Sequence, residues 1–124
     1  MKKKVYIGQS DIKDAGRGVF ASTDIKKGEV IEICPILLLD EKENTHIMET
    51  KLQSYVFEYE KKASMFALGF GSLYNHRGKA NAKYELVEHE GEPAQNAELY
   101  ITALKSIGKD EEISINYGND LYPN

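Results

Sequence analysis

The sequence predicts a mainly β fold with little helix. Short apolar runs recur along the chain, and glycine, proline, asparagine or aspartate residues separate them. Runs of strand length that are bounded by turn-forming residues are typical of mainly β proteins. One polar stretch, residues 40–53, has apolar residues at loose helical spacing, so we expect a loop there with one short helix. The length of 124 residues favours a single domain with one hydrophobic core.

The first half of the chain predicts four strands joined by turns. Residues 11–17 and the sequence Lys26-Lys27-Gly28-Glu29 have the composition of turns. Pro35 divides the last two strands, and because proline has no backbone N–H we expect strand pairing to shift or end there. The four predicted strands cover residues 5–9, 18–21, 30–34 and 36–39.

The second half predicts an aromatic strand, a hairpin and a final strand. Residues 54–59 place Tyr55, Phe57 and Tyr59 on one face of a strand. Residues 63–74 are small and apolar, and they predict a helical turn that leads into a polar loop. The hairpin pairs residues 82–89 with 99–104 around a glutamate-rich loop, and residues 113–117 form the last strand.

The charge and hydropathy of the chain argue against several functional classes. The formal net charge of −4 argues against nucleic acid as a direct partner. An acidic surface would suit a basic peptide, although a net negative charge also serves solubility alone. No apolar run is long enough to span a membrane, and the basic start, Met1-Lys2-Lys3-Lys4, leads into no signal-peptide core. We therefore expect neither a membrane association nor a secretory signal.

The composition also predicts no metal site. The chain has three histidines and a single cysteine, Cys34, and they are scattered rather than spaced as zinc ligands. Cys34 has no partner for a disulfide within the chain and lies in an apolar strand. We interpret it as a small buried hydrophobic residue.

Three short motifs carry the functional signal. The first is Gly16-Arg17-Gly18, the second is Asn75-His76 with a later Asn81, and the third is Glu111-Glu112-Ile113 followed by Tyr117-Gly118. Each alone is also typical of ordinary turns and strands. In this order and at these separations, they resemble the signature of SET-domain protein-lysine methyltransferases. The resemblance covers about residues 5–122 and is closest to the minimal stand-alone SET proteins of large viruses and bacteria.

The resemblance implies a SET fold, in which several small sheets surround a C-terminal pseudoknot in a β-clip-like arrangement. It implies one SET domain over residues 1–124, with no pre-SET segment and no zinc-binding post-SET segment. The implied reaction is methyl transfer from S-adenosylmethionine to a lysine side chain of a protein, with S-adenosylhomocysteine as the product and no metal.

The resemblance also implies a class of substrate and a location. The substrate is a protein with an exposed lysine in a basic flexible segment, with a histone or histone-like protein favoured. Direct contact with nucleic acid or a membrane is not expected. The protein is expected in the cytoplasm or, if it is viral or a host-directed effector, in the host nucleus.

The motifs place the residues of the implied site. Tyr117 matches the catalytic tyrosine of the family, which also contacts the cofactor. Tyr55 and Tyr122 match residues of the lysine channel. For Tyr55, ordinary packing within the aromatic stripe is an equal alternative, and the register at Tyr122 departs from that of the viral relatives. The remaining cofactor-binding residues are Gly16, Arg17, Gly18, Asn75 and His76.

The chain departs from the family pattern after Asn-His. Arg77, Gly78 and Ala80 stand where the family often has serine, cysteine and proline. The cysteine would ligate a zinc ion shared with a cysteine-rich segment after the domain, and residues 82–124 contain no cysteine. The short tail or a second subunit would then close the lysine channel. Since the minimal viral members dimerise, we expect a homodimer.

Two other classes of function compete with the enzyme. A SET-fold protein that has lost catalysis would bind only a peptide or the cofactor. An unrelated small β-rich interaction module would bind no cofactor. The presence of Tyr117, Asn75, His76 and the Gly-x-Gly motif favours the enzyme.

Overall fold

The computed structural model describes residues 3–117 and shows a mainly β architecture. Within these residues there are nine strands, one α-helix and three short 3₁₀ helices. The 3₁₀ helices are Lys51–Tyr55, Gly71–Leu73 and Ala94–Asn96. The other elements are β1 (Val5–Gln9), β2 (Arg17–Ala21), β3 (Val30–Leu39), α1 (Glu41–Ile47), β4 (Val56–Glu58), β5 (Ser64–Ala67), β6 (Asn75–His76), β7 (Ala82–Val87), β8 (Glu98–Ala103) and β9 (Glu112–Ile115).

Eight of these strands form one hydrogen-bonded series in the order β1-β2-β9-β7-β8-β3-β5-β4, and β6 pairs with β9 beside this series. Most neighbours are antiparallel, but β9 runs parallel to both β6 and β7. The last described strand therefore lies in the middle of the series rather than at its edge. The predicted mainly β fold is confirmed.

Pro35 marks the point where β3 changes partners. Before it, β3 pairs with β8, and the last pair is Pro35 with Glu98. After it, β3 pairs with β5, beginning with Ile36 and Ala67. The predicted shift of pairing at the proline is confirmed, although the backbone continues as one strand through it.

Two predicted elements were wrong in type or extent. Residues 63–74 were expected to form a helical turn, but Ser64–Ala67 is a strand and only Gly71–Leu73 is helical. Pairing with both β3 and β4 provides the backbone partners that fix the strand. Such long-range pairing overrides local propensity.

The strand expected over residues 54–59 is shorter, because a 3₁₀ helix occupies its start. The Thr50 side chain accepts a hydrogen bond from Leu52 N at 3.2 Å and caps the helix Lys51–Tyr55. Tyr55 therefore ends a helix instead of opening a strand. The short α1 helix, expected within residues 40–53, begins with a capping box between Asp40 and Glu43.

The chain segment between β6 and β7 encloses β9. Asn75 and His76 pair with Ser114 and Ile115 before this segment, and Ala82 pairs with Ile115 after it. Asn81 fastens the turn, because its Nδ2 donates to Glu112 O and its Oδ1 accepts from Ser114 N, both at 2.9 Å. This is the arrangement that the predicted C-terminal pseudoknot requires.

The core lies between the inner faces of these strands. Its fully buried side chains include Cys34, which is completely shielded from solvent, as predicted. No helix among residues 3–117 is long and apolar enough to cross a bilayer. The largest side chains that are almost completely buried are Tyr74, Ile25, Leu99, Ile101, Ile107, Ile113 and Ile115.

Candidate active site

A hollow of about 500 Å³ brings the predicted site residues together. Its size falls within the range of small-molecule and cofactor sites, on the order of 300–1,000 Å³. The lining comes from four separate stretches of sequence, which meet only in the folded chain. The lining residues are Ala15, Gly16, Arg17, Ser54, Tyr55, Ser72, Leu73, Tyr74, Asn75, His76 and Tyr117.

The two glycines of the first motif have different roles. Gly16 has φ +74°, a conformation that favours glycine, and it lines the hollow. Gly18 does not line the hollow. A Cβ there would overlap the Glu112 carboxylate and lie 2.9 Å from Asn75 Nδ2. Gly18 thus makes room for these two side chains, and its role in binding the cofactor stays a prediction.

The Asn75 amide is held in one orientation. Its Nδ2 donates to Arg17 O and to Glu112 Oε2, both at 2.9 Å. Both amide hydrogens are therefore used. No donor among residues 3–117 binds Asn75 Oδ1, so this oxygen remains available to accept a hydrogen bond from a ligand in the hollow.

Glu112 holds the amide and is itself held. Ser10 Oγ lies 2.7 Å and 3.0 Å from the two carboxylate oxygens and donates to them, while Ser10 Oγ accepts from Ile12 N at 3.0 Å. Glu112 belongs to the third motif, but the motif alone did not predict a role for it. Glu112 lies on β9 opposite Phe20 of β2, and its carboxylate is within hydrogen-bond distance of the Asn75 amide.

His76 fixes the backbone next to Tyr117. Its Nδ1 accepts a hydrogen bond from Tyr117 N at 3.0 Å, so in the neutral ring the proton lies on Nε2. The two rings also stack, with centroids 6.2 Å apart. The imidazole thus orients Tyr117, and its Nδ1 is not free to act as a base.

Tyr117 is held by its hydroxyl, its ring and its backbone. The hydroxyl donates to Tyr74 O at 2.7 Å, and Tyr117 O accepts from the Tyr84 hydroxyl at 3.0 Å. The Phe57 and Tyr84 rings pack against the Tyr117 ring at 5.0 Å and 6.3 Å. Burial raises the pKa of the Tyr117 phenol well above its usual value, and the nearby Tyr84 adds to the shift. Tyr117 is therefore a neutral hydrogen-bond donor at physiological pH.

The family assignment follows from a match of the SET-domain profile to residues 16–118, which is most of the chain. The chain belongs to the SET-domain family. The predicted family and the predicted SET fold are both confirmed.

Relatives of this SET domain include histone-lysine methyltransferases of fungi. The chain is 32% identical over 115 residues to the H3 lysine-37 specific histone-lysine N-methyltransferase of Schizosaccharomyces pombe. The match covers 90% of this chain and 73% of that protein. It is 28% identical to histone-lysine N-methyltransferase SET9 of Phaeosphaeria nodorum, covering 90% of this chain but only 16% of the relative.

Solved structures share the fold. The crystal structure of a candidate histone methyltransferase from Plasmodium falciparum matches with a TM-score of 0.77 and 35% identity, covering 98% of this chain and 99% of the other. A Chaetomium thermophilum polycomb repressive complex 2 bound to S-adenosylmethionine matches with a TM-score of 0.79 and 24% identity. This match covers all of this chain and 16% of the other, and it supports the fold alone.

The SET domain presents Tyr55 at the hollow and not in the core. Tyr55 is 37% exposed, whereas Phe57, two residues later, is 2% exposed and takes the core position of the stripe. The alternative that Tyr55 is an ordinary core residue is therefore wrong. The other predicted channel residue, Tyr122, lies outside the described residues.

Sequence reasoning missed several residues that shape the site. Glu112 orients Asn75. Phe57 and Tyr84 pack on Tyr117, and the Tyr74 carbonyl accepts a hydrogen bond from the Tyr117 hydroxyl. The aromatic stripe was the one sequence signal that pointed to Phe57. Among residues 3–117, no group of three or more histidine, cysteine, aspartate or glutamate side chains is placed to hold a metal ion.

Proposed function

We propose that this SET-domain protein is a protein-lysine methyltransferase that uses S-adenosylmethionine and modifies a histone or another basic protein. One observation carries the proposal. Gly16, Arg17, Asn75, Tyr55 and Tyr117 line a common hollow, in a chain whose relatives are named histone-lysine methyltransferases. We also propose that residues 1–124 act as one SET domain.

The polar groups that line the hollow fit the amino-acid part of S-adenosylmethionine. The ammonium group of that part needs acceptors, and Asn75 Oδ1 is available as one. The negative charge of Glu112 lies directly behind the Asn75 amide and favours a cation nearby. The backbone at Gly16 and Arg17 has no bulky side chain at the glycine to block a ligand. When bound, the cofactor supplies a methyl group on a positively charged sulfur.

Tyr55 and Tyr117 are suited to receive the lysine. Aromatic faces attract ammonium and sulfonium cations. A lysine with the usual pKa of about 10.4 is neutral in only about one molecule in two and a half thousand at pH 7. Transfer into a channel with apolar walls disfavours the charged form and so releases the amine lone pair. We propose Tyr122 as a further wall of this channel.

Tyr117 is proposed as the catalytic residue. Its hydroxyl hydrogen is committed to Tyr74 O, so the oxygen lone pairs remain to accept from the polarised methyl C–H groups or from the amine. Since the phenol stays protonated, Tyr117 orients the reacting groups and does not act as the base. In-line transfer depends on such orientation.

The substrate is proposed to be an exposed lysine in a basic flexible segment, as in a histone tail. The net charge of −4 complements such a segment. A histone substrate implies action in the nucleus. The named specificity of the Schizosaccharomyces pombe relative, H3 lysine-37, supports the substrate class.

The activity test uses labelled S-adenosylmethionine with core histones and a panel of basic proteins, followed by mass spectrometry to locate the mark. We expect label on a lysine of a histone or histone-like protein. A protein that binds the cofactor by calorimetry but labels nothing in the panel would support a binding module instead. The absence of heat with millimolar cofactor or S-adenosylhomocysteine would contradict both readings.

We also propose a homodimer, because Arg77, Gly78 and Ala80 replace the family residues that include a zinc ligand, and another subunit could complete the channel. Analytical ultracentrifugation at tens of micromolar protein is expected to show a dimer. A species that sediments only as a monomer at that concentration would contradict this.

A further inference from the structure

One carboxylate holds both ends of the segment 70–74, which forms part of the wall of the hollow. Glu32, on β3, accepts a hydrogen bond from the Tyr74 hydroxyl at 2.7 Å and from Phe70 N at 2.9 Å. Each of its two oxygens serves one end of the segment. The residues between, Ser72 and Leu73, line the hollow together with Tyr74.

Two glycines allow the segment to approach so closely. Gly69 has φ +65°, and a Cβ there would lie 2.5 Å from Glu32 Oε2. A Cβ on Gly71 would lie 2.5 Å from the Ala67 Cβ and 2.9 Å from Cys34 Sγ. The φ of Gly69 favours glycine there, and the contact with the Ala67 Cβ, which cannot move aside by a side-chain rotation, favours glycine at position 71. Gly69 therefore allows the approach to Glu32, and Gly71 allows the segment to lie against Ala67 and Cys34.

Tyr74 connects the Glu32 carboxylate to Tyr117. The Tyr74 side chain is only 2% exposed, and its hydroxyl is fixed by Glu32. Its backbone carbonyl, directly before Asn75, accepts the Tyr117 hydroxyl at 2.7 Å. Among residues 3–117, the Tyr74 carbonyl is the only acceptor of the Tyr117 hydroxyl. We therefore expect a movement of the Tyr74 ring to shift this carbonyl.

We propose that Glu32 is a positioning residue for methyl transfer, which acts through Tyr74 to hold the carbonyl that orients the Tyr117 hydroxyl. The inference rests on the proposed role of Tyr117. Burial and the neighbouring Glu32 carboxylate raise the pKa of the Tyr74 phenol, so its hydroxyl remains a donor at neutral pH.

The test is a double-mutant cycle between Tyr74→Phe and Tyr117→Phe, with kcat measured at saturating cofactor and substrate. Tyr74→Phe keeps the ring and removes the hydroxyl that Glu32 binds. In the otherwise unchanged protein we expect kcat to fall about fivefold, with the cofactor Kd changed less than about twofold. In the Tyr117→Phe background, where no hydroxyl remains to be oriented, the same change lowers kcat by less than about twofold.

Tyr100→Phe is the matched control, because Tyr100 lies on β8 opposite Ile33 and Glu85, away from the hollow. It is expected to leave kcat unchanged. A fivefold loss from Tyr74→Phe in both backgrounds, or no loss in either, would overturn the inference while leaving the proposed function intact. Absence of transfer by the wild-type protein would overturn the proposed function and the inference with it. Full transfer by Tyr117→Phe would overturn the proposed role of Tyr117, and with it the inference, but not the methyltransferase activity.

Glu32→Gln provides a second route if Tyr74→Phe does not fold. The glutamine side chain has one oxygen, so it cannot accept from both Tyr74 and Phe70 as the carboxylate does. We expect kcat to fall about two- to fivefold, again only when Tyr117 is present. Circular dichroism and cofactor binding on the same preparations establish that each variant is folded. An equal loss of kcat with and without the Tyr117 hydroxyl would reject the positioning role.

Discussion

Two carboxylates support adjacent residues of the same hollow, and they do so in different ways. Glu112, on β9, binds the side chains of Ser10 and Asn75. Glu32, on β3, binds the backbone of Phe70 and the side chain of Tyr74. Asn75 and Tyr74 are neighbours in sequence, yet they have separate anchors. The arrangement lets the Asn75 amide and the support of Tyr117 be perturbed independently.

Each carboxylate also depends on a glycine beside it. A Cβ on Gly18 would overlap Glu112, and a Cβ on Gly69 would crowd Glu32. Gly16 differs from both, because no atom lies within 4 Å of its Cβ position and only its φ of +74° calls for glycine. Gly18 and Gly69 thus leave space for a carboxylate, whereas Gly16 is favoured by its backbone conformation alone.

The largest effect is expected at Tyr117. Tyr117→Phe keeps the ring and its packing but removes the hydroxyl, and we expect methyl transfer to fall at least tenfold, which corresponds to about 1.4 kcal/mol of transition-state stabilisation. Cofactor Kd is expected to stay within about threefold, because the ring remains. Turnover and melting temperature, measured on one preparation, distinguish a catalytic role of Tyr117 from a structural one. Full turnover with lowered stability would remove Tyr117 from the site.

The next largest effect is expected from Gly18→Ala, with Gly28→Ala as its matched control, because Gly28 does not line the hollow. The added methyl at Gly18 displaces Glu112 and Asn75, so cofactor affinity is expected to fall about tenfold, or about 1.4 kcal/mol. Gly28→Ala meets no atom within 4 Å, and because Gly28 has φ +86° the change is expected to cost about 1 kcal/mol of folding stability through its backbone conformation. Calorimetric titration and urea unfolding measure the two quantities. Equal losses of affinity in both variants would contradict the distinction.

A smaller effect is expected from Glu112→Gln. The glutamine is isosteric but carries no charge, and its amide nitrogen cannot accept from Asn75 Nδ2. We expect cofactor Kd to rise about fivefold, or about 1 kcal/mol, with kcat at saturating cofactor nearly unchanged. Kinetics at several cofactor concentrations test this. A fall in kcat with an unchanged KM would show that Glu112 serves the transfer step and not binding.

The smallest effect concerns alkaline pH. The pKa of Tyr117 is raised in the folded protein, so its contribution to stability is complete below the unfolded pKa of about 10 and is lost as pH rises toward the folded value. The slope from one such group is at most about 1.4 kcal/mol per pH unit. Urea unfolding between pH 9 and about 11.5 is expected to show a shallower decline for Tyr117→Phe than for wild type. Identical declines would contradict the buried, neutral phenol.

Much of the fold could be predicted from local sequence. Alternation of apolar residues located most strands, and the missing N–H of Pro35 located the change of partners in β3. The sequence could not predict β5, since its residues are fixed by pairing with β3 and β4. It also could not predict that Thr50 would cap a 3₁₀ helix through Tyr55 and so shorten β4.

The site was predictable where it depends on motifs and unpredictable where it depends on distant contacts. Gly16, Asn75, His76 and Tyr117 could be placed by spacing and resemblance, and they line one hollow. The bonds that hold them join residues far apart in sequence, such as Glu32 and Tyr74, which are separated by 42 positions. No local pattern marks a carboxylate that finds its partner only after folding.

We propose a division of roles in the hollow, in which Asn75 binds the cofactor and Tyr117 serves the transfer of the methyl group. Single-turnover transfer from labelled S-adenosylmethionine to histone, measured beside cofactor Kd for wild type, Glu112→Gln and Tyr117→Phe, tests it most directly. The expected result is weakened binding with near-normal transfer at saturation for Glu112→Gln, and near-normal binding with transfer reduced at least tenfold, or about 1.4 kcal/mol, for Tyr117→Phe. Parallel losses of binding and transfer in both variants would contradict the division of roles, and wild-type protein that binds the cofactor without any transfer would contradict the enzyme itself.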